Sequence, residues 1–173
     1  MSETGSMARS KHGMGKEYPH TDSILPLSAV SLSAVWVLDS FVFKSSARYT
    51  GAVPDIVRVV LFVALEISAA LMGYLSHNAL FGRKQEESKL IMNGIFAHVR
   101  HPLYLSILLA YLGFVFASMS IVSVVPWICF IILFDKMATY EEEDLIRIFG
   151  DAYLNYKKRV PKWIPNPLPA GIR

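Results

Sequence analysis

The twenty residues at positions 24–43, ILPLSAVSLSAVWVLDSFVF, form an apolar run with a single charge. Twenty helical residues at 1.5 Å each reach about 30 Å, which is the thickness of a bilayer's hydrocarbon core. The whole chain shares this character, with 53% hydrophobic residues among 173 and a positive mean hydropathy. Burying so much apolar surface in one small soluble core would be difficult, because a chain of this size leaves much of its surface in water. The sequence therefore predicts an all-α integral membrane protein.

Three further apolar segments follow the first. The second span begins at about residue 56 and extends to residue 75, or as far as residue 81. The third and fourth, residues 103–118 and 121–134, are separated only by an uncharged turn. Both are short for spanning segments, so we expect a tilted hairpin. The prediction is four apolar spans, or five helices if the pieces of the hairpin are counted separately.

The sequence divides into three regions. Residues 1–22 are polar and without periodicity, so we expect them to be disordered. Residues 23–81 contain the first two transmembrane helices, and residues 82–173 contain two polar clusters, the hairpin and a C-terminal helix. In that last helix, the apolar positions Leu145, Ile148, Phe149, Ala152, Tyr153 and Tyr156 follow helical spacing. This pattern predicts an amphipathic helix at the membrane interface.

The distribution of basic residues predicts the topology. With the N-terminus inside, 14 of the 17 Lys and Arg residues lie on the cytoplasmic side of four spans. Such an excess is the usual sign of cytoplasmic loops, so both termini are expected in the cytoplasm. The basic run at residues 157–159 is better explained by contact with anionic lipid than by nucleic-acid binding.

Two polar clusters fall on that cytoplasmic side. The first, residues 90–104, reads LIMNGIFAHVRHPLY, and the second begins at residue 135 and includes the pair Glu141 and Glu142. Antiparallel packing of the hairpin would bring them together. A cationic, aromatic loop facing paired carboxylates suits a ligand that carries both charges. On these residues alone, a solvated acidic run and an arginine that anchors lipid headgroups explain the pattern equally well.

Two isolated residues within the spans bear on function. Glu66 lies near the middle of the second span, where a carboxylate is costly and indicates either a function or a hydrogen bond from a Ser or Tyr side chain of a neighbouring helix. Cys129 is the single cysteine and lies in an apolar run, which excludes an intramolecular disulfide. No metal site is expected.

Several motifs occur in an order that resembles the isoprenylcysteine carboxyl methyltransferases, within the wider group that includes phospholipid N-methyltransferases. They are Gly94-x-Phe96, Arg100-His101-Pro102-x-Tyr104, the pair Glu141-Glu142, Phe149-Gly150-x-x-Tyr153-x-x-Tyr156 and Val160-Pro161. The resemblance covers residues 82–165, about half of the chain. The stretch FGDAYLNYKKRVP looks like the carboxyl methyltransferases rather than the lipid N-methyltransferases. Ser106 departs from the pattern, since many relatives have glycine there.

This resemblance implies an integral membrane enzyme that uses S-adenosylmethionine to methylate the carboxylate of an isoprenylated cysteine at the cytoplasmic face. It implies catalytic roles for Arg100, as the ligand of the substrate carboxylate or the residue that orders the loop, and for Glu142. The cofactor-binding residues it implies are Lys89, Leu90, Phe96, His101, Pro102, Leu103, Tyr104 and Glu141. The expected location is the plasma membrane in a prokaryote and the endoplasmic reticulum in a eukaryote.

The chemistry of such a reaction agrees with these residue types. A sulfonium methyl is already activated and a carboxylate is already ionised, so positioning and the exclusion of water would supply most of the catalysis. An arginine can hold a carboxylate with two parallel hydrogen bonds. The expected partners are a prenylated cysteine peptide or a small lipid-like substrate, whose tail would enter sideways from the bilayer, and the membrane lipids.

Three alternatives remain open at this point. A phospholipid N-methyltransferase would need a base to deprotonate its ammonium acceptor, and His98 or the acidic pair could serve. A sterol-reductase-like enzyme shares an arginine-histidine-proline motif but uses a nicotinamide cofactor. A non-enzymatic membrane scaffold would leave the two polar clusters unexplained.

Overall fold

The computed structural model describes residues 17–46, 51–81 and 90–167. Within these ranges the α-helices are α1 (Thr21–Val37), α2 (Asp55–Phe81), α3 (Pro102–Ser118), α4 (Ile121–Phe149) and α5 (Asp151–Arg159). A π-helical segment, Leu38–Phe43, continues α1, and a 3₁₀ turn, Gly94–Ala97, precedes α3. The described residues contain no strand, which confirms the predicted all-α class.

Three helices are long and apolar enough to cross a membrane: α1 with its π-helical continuation, α2 and α4. Helix α3 is also apolar but has 17 residues, about 26 Å of helix. It packs along α2 more extensively than any other two helices pack on each other. Large apolar side chains such as Leu27, Ile67 and Val125 lie more than 60% exposed on the outside of the bundle. Such a surface suits a lipid solvent better than water.

Contacts at the two ends of the bundle show that successive helices are antiparallel. At one end, Arg58 in the first turn of α2 donates to the carbonyl of Ala117 near the end of α3. The Trp36 indole at the end of α1 donates to Ser118 Oγ at 2.9 Å. At the other end, the first turns of α1 and α3 and the last residues of α2 surround one cavity. The two polar clusters of the sequence therefore share one end.

Asp39 is buried at the end opposite the cavity. It lies on the π-helical segment, is only 3% exposed, and accepts hydrogen bonds from the backbone N–H of Ser46 at 3.2 Å, from Ser46 Oγ at 2.7 Å and from Ser120 Oγ. Ser46 Oγ in turn accepts from the N–H of Ile121. This carboxylate therefore joins the end of α1 to the turn between α3 and α4.

Two glycines lie at the contact between α2 and α3. A Cβ atom on Gly113 of α3 would lie 2.5 Å from Oε1 of Glu66, which is too close, whereas one on Gly73 of α2 would lie 3.4 Å from Ser106 Oγ, which is an ordinary contact. The serine at position 106, where many relatives have glycine, lies opposite a glycine of the facing helix. Oε1 of Glu66 is buried without a hydrogen-bond partner among the described residues, so the bond expected from Ser or Tyr is not found at that oxygen.

The C-terminal helices differ in their boundaries from the sequence prediction. Helix α4 continues past the fourth apolar segment, residues 121–134, to Phe149, because nothing in the polar stretch that follows breaks a helix. Gly150 then adopts a positive φ of 54°, which favours glycine, and the chain bends into the nine-residue α5. Of the predicted apolar face, Tyr153 and Tyr156 are buried in the protein, whereas Ile148 is 49% exposed.

The predicted disorder of residues 1–22 falls partly outside the described residues, which begin at position 17. Residues 17–20 lead into α1, whose first residues are Thr21 and Asp22. Tyr18 packs edge-on against Tyr140 of α4 at 5.5 Å between ring centroids. The last six residues of that segment therefore belong to the fold.

We predict that Asp39→Ala destabilises the protein by about 3 kcal/mol, because three buried donors lose an ionised acceptor. The measurement is the thermal-unfolding midpoint of detergent-purified protein. Asp55→Ala is the control, since the Asp55 side chain is 88% exposed and its ion pair with Arg58 contributes at most about 1 kcal/mol. Equal shifts in the two variants would contradict the role assigned to Asp39.

Candidate active site

A cavity of about 280 Å³ lies at the end of the bundle where the two polar clusters meet. The start of α1, the last turn of α2, the 3₁₀ turn, the start of α3, the polar part of α4 and α5 all contribute to its wall. Its apolar side includes Leu25, Leu80, Ile91 and Leu145. The volume is close to the lower end of the range for small-molecule sites, about 300–1,000 Å³.

The loop before α3 is held in place by the C-terminal part of the chain. The backbone N–H of Arg100 donates to the carbonyl of Pro161 at 3.0 Å, and the N–H of Asn166 donates to the carbonyl of His98 at 2.9 Å. The Tyr156 hydroxyl of α5 donates to the carbonyl of Phe96 at 2.7 Å. Pro102 then opens α3, where its missing N–H costs nothing. The loop therefore forms its part of the cavity wall in a fixed conformation.

Glu142 lies behind the cavity wall as the centre of an ionic cluster. It is 2% exposed, and its oxygens lie 3.0 Å from His101 Nε2, 2.9 Å from Lys157 Nζ and 3.4 Å from Arg100 Nε. Burial alone would raise the pKa of this carboxyl. The hydrogen bonds from His101 and Lys157 and the charge of Arg100 outweigh burial and hold the pKa at about 2. Glu142 is therefore ionised at neutral pH.

His101 is neutral at the same pH. Its burial lowers the pKa of the imidazole, and the neighbouring Glu142 only partly opposes this. Because ionised Glu142 can only accept a hydrogen bond from His101 Nε2, that nitrogen carries the proton. Nδ1 of His101 is therefore left as an acceptor. The ring lies between Tyr104 and Trp163, at 6.1 Å from each ring centroid. Its orientation is therefore fixed from several sides.

The preceding carboxyl, Glu141, has a different environment. It lines the cavity and accepts a hydrogen bond from the Tyr104 hydroxyl. Burial raises the pKa of Glu141 to about 7, and the negative charges of Glu17 and Glu142 add to the effect, although the bond from Tyr104 opposes it. The described residues give it no Lys or Arg partner within salt-bridge distance. The site therefore offers a carboxylate that a cationic ligand would ionise.

Arg100 brings hydrogen-bond donors to the same cavity. Its side chain is 8% exposed, and Nε and Nη1 are buried without a hydrogen-bond partner in the part of the chain that the structure describes. A buried donor without an acceptor is destabilising, by about 1–3 kcal/mol or more for a charged group. The cavity thus combines a carboxyl that has no Lys or Arg partner with an arginine whose Nη1 has no acceptor.

Eight of the ten site residues predicted from the sequence line this cavity: Leu90, Phe96, Arg100, His101, Pro102, Leu103, Tyr104 and Glu141. Glu142 contacts two of them from behind the wall. Lys89 lies outside the described residues. The structure brings the described residues together, and their individual roles stay predictions.

Other residues at the site did not stand out in the sequence. Glu17, Thr21 and Asp22 line the cavity from the start of α1, and Lys157 pairs with Glu142. Because four spans alternate in direction, the start of α1 lies on the same side of the membrane as the polar clusters. This topology is the feature of the sequence that could have pointed to Glu17, Thr21 and Asp22. His98 does not line the cavity; its Nδ1 donates to the carbonyl of Asn166 at 2.6 Å.

Comparisons with known proteins found a family model and curated relatives that are similar to this chain. A family model described as phospholipid methyltransferase matches residues 56–152. Curated relatives include a protein-S-isoprenylcysteine O-methyltransferase from Schizosaccharomyces pombe, 35% identical over 88 residues, which are 48% of this chain and 36% of the relative. Another relative with that name, from Mus musculus, is 27% identical over 155 residues, 74% of this chain and 55% of the relative.

A solved structure also has a similar fold. It is the structure of the eukaryotic intramembrane Ras methyltransferase, isoprenylcysteine carboxyl methyltransferase, and it superposes with a TM-score of 0.58 at 17% identity. The match covers 90% of this chain and 56% of that one. The chain spans about half or less of the length of these relatives. At that identity the superposition shows a shared membrane fold.

We predict that Glu142→Gln destabilises the protein by about 3 kcal/mol at neutral pH, because it removes the buried partner of Arg100 and Lys157. Since the folded state lowers the pKa of Glu142, its stabilisation is present above the unfolded-state value of about 4.3 and is lost as the pH falls toward 2. Thermal unfolding measured across this range should show wild type approaching the variant in acid. The exposed neighbour serves as control: Glu143→Gln should behave as wild type, and a similar loss there would refute the cluster's role.

Proposed function

The chain belongs to the phospholipid methyltransferase family, and we propose that within it the chain transfers a methyl group from S-adenosylmethionine to the carboxylate of an isoprenylated cysteine. The observation that carries this proposal is the cavity that is lined both by a carboxyl without a Lys or Arg partner, Glu141, and by Arg100, two of whose nitrogens have no hydrogen-bond partner among the described residues. The curated relatives named protein-S-isoprenylcysteine O-methyltransferase support it. We propose residues 82–173 as the methyltransferase core, with the start of α1 completing the cavity.

The residues present fit a cationic cofactor. When bound, S-adenosylmethionine supplies a methyl group activated by its sulfonium sulfur. Glu141 would hold the ammonium group, since it lines the cavity and no Lys or Arg among the described residues lies within salt-bridge distance of it. Phe96 and Tyr104 would pack against apolar parts of the cofactor, with Leu90, Pro102 and Leu103 on the same wall. We keep Lys89 as a proposed contact.

Arg100 would bind the acceptor's carboxylate. Its guanidinium is buried and always charged, and planar donors of this kind suit a carboxylate. The acceptor is ionised at neutral pH, so no group of the protein has to remove a proton. Neutral His101 and ionised Glu142 are bound to each other, and we propose that they hold Arg100 and the loop in position for the acceptor. Catalysis then rests on orientation and on the exclusion of water.

The prenyl tail would occupy the apolar side of the cavity. Leu25, Leu80 and Leu145 belong to three different helices and line this side. The tail would enter between helices from the bilayer, whose apolar phase also surrounds the bundle. With the positive charges of the chain concentrated at the cavity end, we place this end, and both termini, on the cytoplasmic side.

A phospholipid amine is the second candidate acceptor, favoured by the description of the matching family model. Two observations make it the weaker choice. The donors of Arg100 that have no hydrogen-bond partner suit a carboxylate and not an ammonium, and His98, the base suggested by the sequence, does not line the cavity. Glu141 is the remaining group there with a pKa suited to accept a proton.

The first test of the function uses purified protein, methyl-labelled S-adenosylmethionine and two acceptors offered separately, N-acetyl-S-farnesylcysteine and phosphatidylethanolamine. The farnesylated acceptor should be labelled, and mild alkali should release the label as methanol because the product is a methyl ester. Arg100→Gln should lower this activity at least about tenfold, the effect of losing a charged hydrogen bond. Alkali-stable label on phosphatidylethanolamine alone would establish the second candidate instead.

A second prediction concerns the pH dependence of cofactor binding. Glu141 must lose its proton to pair with the ammonium group, so affinity for S-adenosylmethionine should fall by about fivefold between pH 7 and pH 6, where the ammonium group itself stays protonated. Calorimetry across this range measures the effect directly. Glu141→Gln should bind more weakly at high pH and show a flat profile. A wild-type profile that is equally flat would remove Glu141 from the ammonium site.

A further inference from the structure

Tyr153 is a buried residue in the wall of the same cavity. It lies in the first turn of α5, is 1% exposed, and lines the cavity together with Arg100. Its ring packs against Tyr156 at 5.7 Å between centroids and against Val160. The hydroxyl has no hydrogen-bond partner among the residues that the structure describes. The ring is therefore fixed by apolar contacts, and its polar atom is left without an acceptor.

The neighbouring Tyr156 shows that a buried tyrosine on α5 can have a hydrogen-bond partner. Tyr156, one helical turn later, is also buried, and its hydroxyl donates to the carbonyl of Phe96. Native proteins rarely leave a buried hydroxyl unpaired, because the loss of its bonds to water is then uncompensated. Burial also raises the pKa of the Tyr153 hydroxyl, so it keeps its proton and acts as a donor. The protonated hydroxyl of Tyr153 therefore lacks an acceptor, which a ligand in the cavity would supply.

Arg100 favours an anionic acceptor beside this hydroxyl. The ionic cluster behind the wall contains two cations, Arg100 and Lys157, one ionised carboxylate, Glu142, and a neutral imidazole, His101. This cluster alone has one positive charge left over, while Glu141 adds a carboxyl on the cavity side. The free donors of the cluster are on Arg100, which reaches the cavity, because Lys157 Nζ is occupied by Glu142. A ligand that brings one negative charge would match both the charge and the donors.

We propose that Tyr153 is a substrate-binding residue that donates its hydroxyl to the acceptor's carboxylate, which Arg100 binds at the same time. This inference rests on the function proposed above and adds a second, independent element to the carboxylate site, since Arg100 comes from the loop before α3 and Tyr153 from α5. Two donors on separate elements fix a carboxylate in orientation as well as in position. The methyl ester product carries no charge, so this pair of donors would bind it less tightly than the substrate.

The test compares two probes that differ only in the carboxyl group: N-acetyl-S-farnesylcysteine and N-acetyl-S-farnesylcysteamine. Binding of each is measured to detergent-purified full-length protein saturated with S-adenosylhomocysteine, so that no methyl transfer occurs. We expect wild type to prefer the carboxylate probe. Tyr153→Phe should weaken the carboxylate probe at least about tenfold and leave the cysteamine probe and S-adenosylhomocysteine within about twofold of wild type.

Tyr140→Phe is the matched control, because Tyr140 lies on α4 outside the cavity and packs against Tyr18. It should keep the wild-type preference. The ratio of the two affinities is measured within one variant, so partial unfolding of Tyr153→Phe cannot imitate the expected result. Equal weakening of both probes, or of neither, would overturn the role of Tyr153. If wild type itself showed no preference for the carboxylate, the proposed function would fail along with it.

Discussion

The buried pairing of Glu142 with Arg100, His101 and Lys157 is the contact on which the site depends. In a bilayer, apolar side chains gain little by meeting each other instead of lipid, so polar contacts have a large part in fixing how helices and loops meet. This carboxylate lies on α4. Of its three partners, Arg100 belongs to the loop before α3, His101 immediately precedes α3, and Lys157 lies on α5. The helix ends and the loop are thereby tied together at one end of the bundle.

Two adjacent glutamates on α4 illustrate how position on a helix decides the chemistry of a side chain. Successive residues point about 100° apart, so Glu142 faces the basic cluster while Glu141 faces the cavity. One has its pKa lowered to about 2 and the other has it raised to about 7. The same residue type thus provides a permanent structural anion and, next to it, a carboxyl that responds to the charge of a ligand.

Sequence reasoning predicted those features that depend on local pattern or on the alternation of spans. Apolar runs indicated the helices, and the antiparallel hairpin placed Arg100 and His101 near Glu141 and Glu142, as the structure shows. The continuation of α4 beyond residue 134 was missed, because hydropathy marks where a helix leaves the apolar phase and not where its hydrogen bonding ends. The pairing of Lys157 was missed for a different reason, since it depends on the bend at Gly150, whose direction no local pattern gives.

The two ends of the bundle differ in how far their polar groups are paired, and this difference locates the site better than charge does. At the Asp39 end, the carboxylate accepts three hydrogen bonds, and Arg58 uses both terminal nitrogens although its Nε is unpaired. At the other end, beside one cavity, Nη1 of Arg100 and the Tyr153 hydroxyl have no hydrogen-bond partner among the described residues, and Nε of Arg100 has only its ion pair with Glu142 at 3.4 Å. A paired network stabilises the fold without a ligand. Several unpaired donors on rigid elements around one cavity are stable only when something else supplies the acceptors, which is the condition that a binding site fulfils.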